Sequence, residues 1–218
     1  MHRELAELHA EIARLGGMVE DSIGKAMTSL YEGDQQLARQ VRSGDDLIDE
    51  LEVKIEEHLL SIMALYQPVA RDLRFLVTAL KVNNELEHIG DLAESIARKA
   101  FTIPKSKVDH SKIELRDMAE ITQQMLSEAL TAFLEQDGDK AKAVLIKDDK
   151  VDRWHGKNHR TVAENIEKTD RDFTVAELQL LSVSRSLERI ADTASSIAED
   201  VVYLVDAQII RHRPYEID

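Results

Sequence analysis

Acidic side chains occur in pairs, four residues apart, at four places in this chain of 218 residues. The pairs are Asp45 and Asp49, Glu87 and Asp91, Asp148 and Asp152, and Glu188 and Asp192. On a helix, residues four apart lie one turn above each other, so each pair places two carboxylates on one face. Carboxylates that converge repel one another unless a cation lies among them. Oxygen ligands alone suit hard cations such as Mg²⁺, Ca²⁺ and Mn²⁺, and also ferric iron.

The four pairs are two copies of two pairs, because the sequence repeats itself. Residues 85–97 read E-L-E-H-I-G-D-L-A-E-S-I-A, and residues 186–198 read S-L-E-R-I-A-D-T-A-S-S-I-A. Upstream, D-D-L-I-D at 45–49 returns as D-D-K-V-D at 148–152. Both copies keep the apolar positions as well as the acids, which indicates two structural repeats. A duplication can also preserve an idle, solvated surface, so acids that bind nothing remain the alternative.

Apolar residues at helical spacing predict the elements that position these acids. The six predicted helices cover about residues 3–32, 34–66, 69–101, 110–136, 139–168 and 175–209. The segment T-I-P-K-S-K-V-D at 102–109 lacks this periodicity and predicts a linker. Long helices joined by short turns lie antiparallel, so the sequence predicts an all-α fold of two pseudo-symmetric three-helix bundles. The predicted domains are residues 1–103 and 110–210, and in each the acid pairs face each other across a groove.

Composition restricts the partners that this chain could bind. It has 28 basic and 42 acidic residues, a net charge of −14, which argues against nucleic acid or an anionic lipid surface as the main partner. The absence of cysteine excludes disulfides, thiolate metal sites and a cysteine nucleophile, and fits a reducing cytosol. No apolar run approaches the roughly 18 residues that span a bilayer, so we expect no membrane insertion.

Histidines suggest two further arrangements. Glu85 and His88 imitate the Glu-x-x-His element of di-iron bundles, but the equivalent positions of the second repeat are Ser186 and Arg189. His155 and His159 lie four apart and could bind zinc, although an ordinary surface face explains them as well. Their equivalents in the first repeat are Glu52 and Glu56, so a mixed site is a further alternative.

Motifs for catalysis are missing from the sequence. It contains no G-x-x-x-x-G-K-[ST], no G-x-G-x-x-G and no H-E-x-x-H. We therefore predict a protein that is not an enzyme. Two rivals stay open at this point: a carboxylate-bridged metal enzyme or iron-storage bundle, and a structural adaptor whose acids bind no metal.

Four segments together resemble the PhoU family of phosphate-transport regulators. They are G-G-M-V-E near the start, the duplicated D-D-x-[IV]-D, Q-P-V-A-R-D-L-R before the third predicted helix, and E-x-I-[GA]-D in both halves. The resemblance covers nearly the whole chain. It implies six helices with internal two-fold pseudo-symmetry, and metal clusters of iron or zinc on the bundle surfaces. All eight paired acids are present in this chain and would be the ligands.

The resemblance also implies a function. PhoU-like proteins are negative regulators of the phosphate-starvation response and of high-affinity phosphate uptake. They link the phosphate ABC transporter to a sensor histidine kinase. From this we expect a cytoplasmic homodimer that lies at the inner face of the membrane through its partners and performs no catalysis.

Overall fold

Seven helices form the chain in the computed structural model, which describes residues 1–166, 168 and 170–209, without the side chain of His110. The helices are α1 (His2–Glu32), α2 (Gln35–Tyr66), α3 (Ala70–Lys99), α4 (Lys105–His110), α5 (Arg116–Glu135), α6 (Gly138–Asn165) and α7 (Arg171–Asp206). No strand occurs in this described part, so the predicted all-α class is confirmed. Residue 210, the end of the second predicted domain, lies outside it.

Two three-helix bundles make up the molecule. Helices α1, α2 and α3 contact one another, and so do α5, α6 and α7. Helix α3 lies against α7 and α1 against α5, which joins the halves. The buried apolar side chains form one continuous cluster that runs through both bundles. Over the described residues, no helix is both long enough and apolar enough to cross a membrane.

Equivalent turns begin the middle helix of each bundle. Asp34 caps α2, because its carboxylate accepts hydrogen bonds from the backbone N–H groups of Gln36 and Leu37. Asp137 caps α6 in the same way. The residue before each cap has a left-handed backbone, with φ of 65° at Gly33 and 52° at Gln136. Both turns thus place the middle helix antiparallel to the first, as the repeat predicts.

The linker differs from the prediction. Residues 102–109 were expected to lack structure, but α4 begins at Lys105 after Pro104, whose missing N–H is tolerated at a helix start. The next helix begins at Arg116 rather than near 110. Asn158 explains this late start, since its side-chain amide accepts from the N–H of Glu114 and donates to its carbonyl, at 2.8 and 3.0 Å. A long-range contact thus holds 111–115 out of the helix, and the domain boundaries at 103 and 110 stay predictions.

Candidate metal centres on two acid patches

The first acid patch consists of Asp45 and Asp49 on α2 with Glu87 and Asp91 on α3. The two helices approach closely because Gly90 has no side chain at the contact. A β-carbon there would lie 3.2 Å from Ile48 Cγ2 and 3.3 Å from Asp45 Oδ1. This close approach brings the carboxylates of both helices together, as the antiparallel arrangement predicts. Asp49 and Asp91 are exposed, whereas Asp45 and Glu87 are half-buried.

The second acid patch is the equivalent group on the other bundle, Asp148 and Asp152 on α6 with Glu188 and Asp192 on α7. Single carboxylate oxygens of Asp152, Glu188 and Asp192 all lie within 4.8 Å of one another. Asp148 lies deeper, half-buried beneath the exposed Asp152 and Asp192. The structure therefore groups the eight sequence-predicted acids on two patches, but of these eight only Asp152, Glu188 and Asp192 form a trio whose ligand atoms lie within 4.8 Å of one another.

One carboxylate oxygen in each patch is buried without a hydrogen-bond partner among the described residues. These atoms are Asp45 Oδ1 and Asp148 Oδ1, at equivalent positions of the two repeats. Burial, followed by the charge of Asp49 and Asp91, raises the pKa of Asp45 from 3.8 to about 6. Burial, followed by the charge of Asp192 and Asp152, likewise raises the pKa of Asp148 to about 6. A cation in each patch would satisfy these oxygens and reverse the repulsion.

Three further acids of the patches, Asp49, Glu87 and Asp192, have a pKa shifted in the same direction. Burial and then Asp91 raise the pKa of Asp49, and burial and then the same aspartate raise the pKa of Glu87. Burial and then Glu188 raise the pKa of Asp192. At Asp192, burial and the charge of Glu188 outweigh the opposing charge of the nearby Arg189. The donor set is carboxylate oxygen throughout, which fits Mg²⁺, Mn²⁺ and iron, and also zinc with carboxylate ligands.

Glu94 joins the first patch, although the sequence pattern did not select it. It is buried, receives hydrogen bonds from Arg42 at 3.1 Å and from Arg98, and its charge contributes to the raised pKa of Asp45. Glu94 follows Asp91 by three residues and so lies on the same helix face, which is a usable signal. The repeat comparison hid this signal, because the equivalent residue is Ser195. The two patches therefore differ at this position.

The histidines occupy other places. His88 Nε2 accepts a hydrogen bond from Arg189 at 3.0 Å, so these two equivalent residues meet where α3 contacts α7. The guanidinium takes the position at Nε2 that a metal would need, which weakens the di-iron interpretation. His155 bonds to Ser184 Oγ at 2.9 Å, and its ring centroid lies 4.7 Å from that of His159. Zinc binding by this pair stays a prediction.

Fold and patches together define a class of protein: helical chains of two tandem three-helix repeats, each carrying a surface patch of paired acids. A family model for the PhoU domain matches residues 12–100 and, separately, residues 115–201. The chain therefore belongs to the PhoU domain family, which confirms the resemblance read from its motifs.

Named relatives agree with this assignment. The chain is 36% identical over 203 residues to the phosphate-specific transport system accessory protein PhoU homolog 1 of Thermotoga maritima, covering 93% of this chain and 87% of the relative. The crystal structure of PhoU from Pseudomonas aeruginosa is similar with a TM-score of 0.87 and 34% identity, covering 95% of this chain and 99% of that one. The phosphate transport system regulatory protein PhoU from Streptococcus pneumoniae has a TM-score of 0.88 at 25% identity, covering 95% and 98%.

Proposed function

We propose that this chain is a regulatory accessory protein of phosphate transport, and that each acid patch holds a metal ion or a small metal cluster. The relatives are named as accessory or regulatory proteins of phosphate transport, which supports the first part. In its finer form the proposal is a negative regulator of the phosphate-starvation response and of high-affinity uptake. It would act as an adaptor between the phosphate ABC transporter and a sensor histidine kinase, and not as an enzyme.

The observation that carries the metal proposal is the repeated unpaired oxygen. Asp45 Oδ1 and Asp148 Oδ1 are buried at equivalent positions without a hydrogen bond of ordinary geometry, although the Ser195 hydroxyl lies beside Asp148 and acts to lower its pKa. A buried carboxylate oxygen that lacks a partner costs about 1–3 kcal/mol or more, and an idle surface has no reason to keep this cost twice. A bound cation would remove it and would link the second helix of each bundle to the third. Iron and zinc are the proposed metals.

Partner binding and location complete the proposal. Large apolar side chains are exposed at the corner between α2 and α3, where Leu65, Val69 and Leu73 are 74, 75 and 42% exposed. Apolar exposure of this kind is typical of protein contacts. It supports contact with the transporter or the kinase at the cytoplasmic face of the membrane, and formation of a homodimer. The net charge of −14 favours protein partners with basic surfaces over nucleic acid.

The metal part is tested by elemental mass spectrometry of protein purified without an affinity tag or added metal. A variant with all eight acids changed to Asn or Gln keeps the side-chain volumes and should keep its helices, as judged by circular dichroism. The matched control changes exposed acids outside the patches, Glu50, Glu57, Asp139 and Glu164, to their amides. We expect metal in the parent and the control, and loss of the patch metal in the eight-acid variant. Equal metal in all three proteins, or none in the parent, would contradict the proposal.

The regulatory part is tested in cells that lack the gene. With plentiful phosphate, we expect raised phosphate uptake and raised expression of a starvation reporter. The parent chain should restore both to low levels, and the eight-acid variant should fail to do so. Unchanged uptake and reporter signal in the deletion strain would overturn the regulatory role. Restoration by the eight-acid variant would instead separate regulation from metal binding and favour the plain adaptor.

A further inference from the structure

A second kind of ligand cluster lies away from the acid patches, where the start of α1 meets the later part of α2. His58 Nδ1 lies 2.7 Å from Glu11 Oε2, and His58 Nε2 lies 3.2 Å from Glu4 Oε2. A carboxylate oxygen of Glu7 completes the group, since ligand atoms of Glu4, Glu7 and His58 all lie within 4.8 Å of one another. The imidazole thus stands between Glu11 on its Nδ1 side and Glu4 on its Nε2 side, with Glu7 close by.

This arrangement has the form of a histidine metal ligand with its supporting carboxylate. In such ligands one ring nitrogen donates its proton to a carboxylate, which fixes the tautomer and turns the other nitrogen toward the metal. Glu11 can accept from Nδ1 in this way. Its second oxygen, Oε1, lies 3.4 Å from Lys54 Nζ, which holds the carboxylate in place. His58 Nε2 is then left facing Glu4, with Glu7 in the same group of ligand atoms.

We propose that Glu4, Glu7 and His58 bind a zinc ion, with Glu11 as the carboxylate that orients the imidazole. One nitrogen and two oxygens are ligands that Zn²⁺ accepts at tetrahedral sites, with water as the fourth ligand. The imidazole separates this cluster from the acid patches, whose ligands are all oxygen and which suit harder cations. The residue equivalent to His58 in the second repeat is Thr161, so the second bundle has no imidazole at this position.

The cluster is accessible to a zinc ion, and the ion pair that competes for Glu7 is weak. The Glu4 and His58 side chains are 33 and 19% exposed, so the site is open to solvent at its rim. Glu7 pairs with Arg3 at 2.9 Å, but Arg3 is 87% exposed. Exposed ion pairs of this type are weak, about 0–1 kcal/mol, and Zn²⁺ can displace the guanidinium. A bound ion would clamp the first turns of α1 to α2.

The test is calorimetric titration of metal-stripped protein with Zn²⁺, with His58→Gln and Glu7→Gln compared with the parent chain. The acid patches can take up zinc in every protein, so the readout is the difference in stoichiometry. We expect each variant to bind one equivalent fewer than the parent. Glu11→Gln should keep the stoichiometry but weaken this one binding step by about tenfold or more. The matched control is Glu57→Gln, an exposed neighbour of His58 on α2, which should leave the stoichiometry and the His58 step unchanged.

Equal stoichiometry and affinity in the parent, His58→Gln and Glu7→Gln would overturn the proposal. In that case the histidine is only an ion-pair partner of Glu4 and Glu11. Glu7 is exposed, so its replacement by Gln should not unfold the chain, and the test survives even where His58→Gln is destabilised. Circular dichroism before each titration shows which variants are folded. Loss of metal from the acid patches in the eight-acid variant does not affect this result, so the two metal proposals fail separately.

Discussion

Buried carboxylates in this molecule have two kinds of surroundings: some lie beside a basic side chain, and others lie among further carboxylates. Glu94 is buried beside Arg42 and Arg98, and Asp200 is buried beside Lys81 at 2.9 Å. Asp45 and Asp148, in contrast, each bury an oxygen that has no hydrogen-bond partner among the described residues, with other carboxylates as their neighbours. Isolated buried charge is unfavourable and usually becomes neutral or acquires a counter-ion. The metal-free patches are therefore sites where the fold is destabilised at neutral pH.

Asp148→Asn should stabilise the metal-free protein at neutral pH. The folded-state pKa of Asp148 is raised to about 6 from 3.8, so the folded chain holds this proton more tightly than the unfolded chain. Stability in the parent should then rise as pH falls from about 6 to about 4, and the asparagine variant should show a smaller rise, because Asp45 still titrates in this range. We expect a gain of about 1 kcal/mol at neutral pH, since one pKa unit is worth about 1.4 kcal/mol and partial exposure screens the charge. Urea unfolding with a chelator, at several pH values, measures it.

The control for this prediction is Asp149→Asn, an exposed neighbour that should change the unfolding free energy little. With metal bound, the parent should be more stable than Asp148→Asn, because the variant lacks a proposed ligand and the parent gains binding energy. A metal-free Asp148→Asn protein that is less stable than the parent at neutral pH would show that the carboxylate makes a favourable contact that burial alone does not reveal.

At the scale of helices, the sequence predicts the ends of a helix correctly when residues at those ends determine them. The first two helices were expected over 3–32 and 34–66 and are observed at His2–Glu32 and Gln35–Tyr66. Gly33 and Pro68 mark these ends through their own backbone restrictions, so no distant residue is needed. The start of the fourth predicted helix, near 110, was wrong because residues 111–115 depend on Asn158, which lies 44 residues away from Glu114.

In the acid patches, too, features set by local spacing could be predicted and features set by long-range contacts could not. Spacing along α2 and α3, with their antiparallel packing, was enough to predict that four acids meet in each bundle. The depth of Asp45 was not predictable, because it depends on how closely Gly90 lets the helices approach. Comparison of the two repeats does not select Glu94, because the equivalent residue in the second repeat is Ser195, which has no carboxylate. Sequence repetition therefore identifies the site residues that both halves share, and it does not identify those present in one half alone.

Adjacent glycines of α1 should respond in opposite ways to a single methyl group. A β-carbon on Gly17 would meet nothing within 4 Å, so Gly17→Ala should stabilise by about 0.5–1 kcal/mol through helix propensity. A β-carbon on Gly16 would lie 2.8 Å from Leu130 Cδ1 on α5, so Gly16→Ala must displace that side chain and should lose this gain. Gly16→Val should be clearly destabilising. Urea midpoints of the three variants give the order, and equal gains at both glycines would mean that α1 and α5 pack less closely than described.

At the scale of the whole molecule, the two bundles share one core and polar contacts between α3 and α7. Lys81 reaches Asp200 across this contact at 2.9 Å, and His88 meets Arg189 at 3.0 Å. The halves repeat each other in sequence, yet the pairs that join them differ in chemistry. Because apolar burial is continuous through both halves, we expect them to unfold together rather than as independent domains.

Urea unfolding followed by two spectroscopic signals checks this expectation, in the parent and in Lys81→Met, which removes a contact between the bundles. The single tryptophan, Trp154, reports on the second bundle, whereas far-UV circular dichroism reports on helices of both. In the parent the two signals should have the same urea midpoint. Lys81→Met leaves the Asp200 carboxylate, with a side chain 9% exposed, without its ammonium partner, which should cost about 2 kcal/mol and move both signals together. Lys25→Met, which removes an exposed pair within α1, should change little. Signals that separate in the parent would show two independently folding bundles.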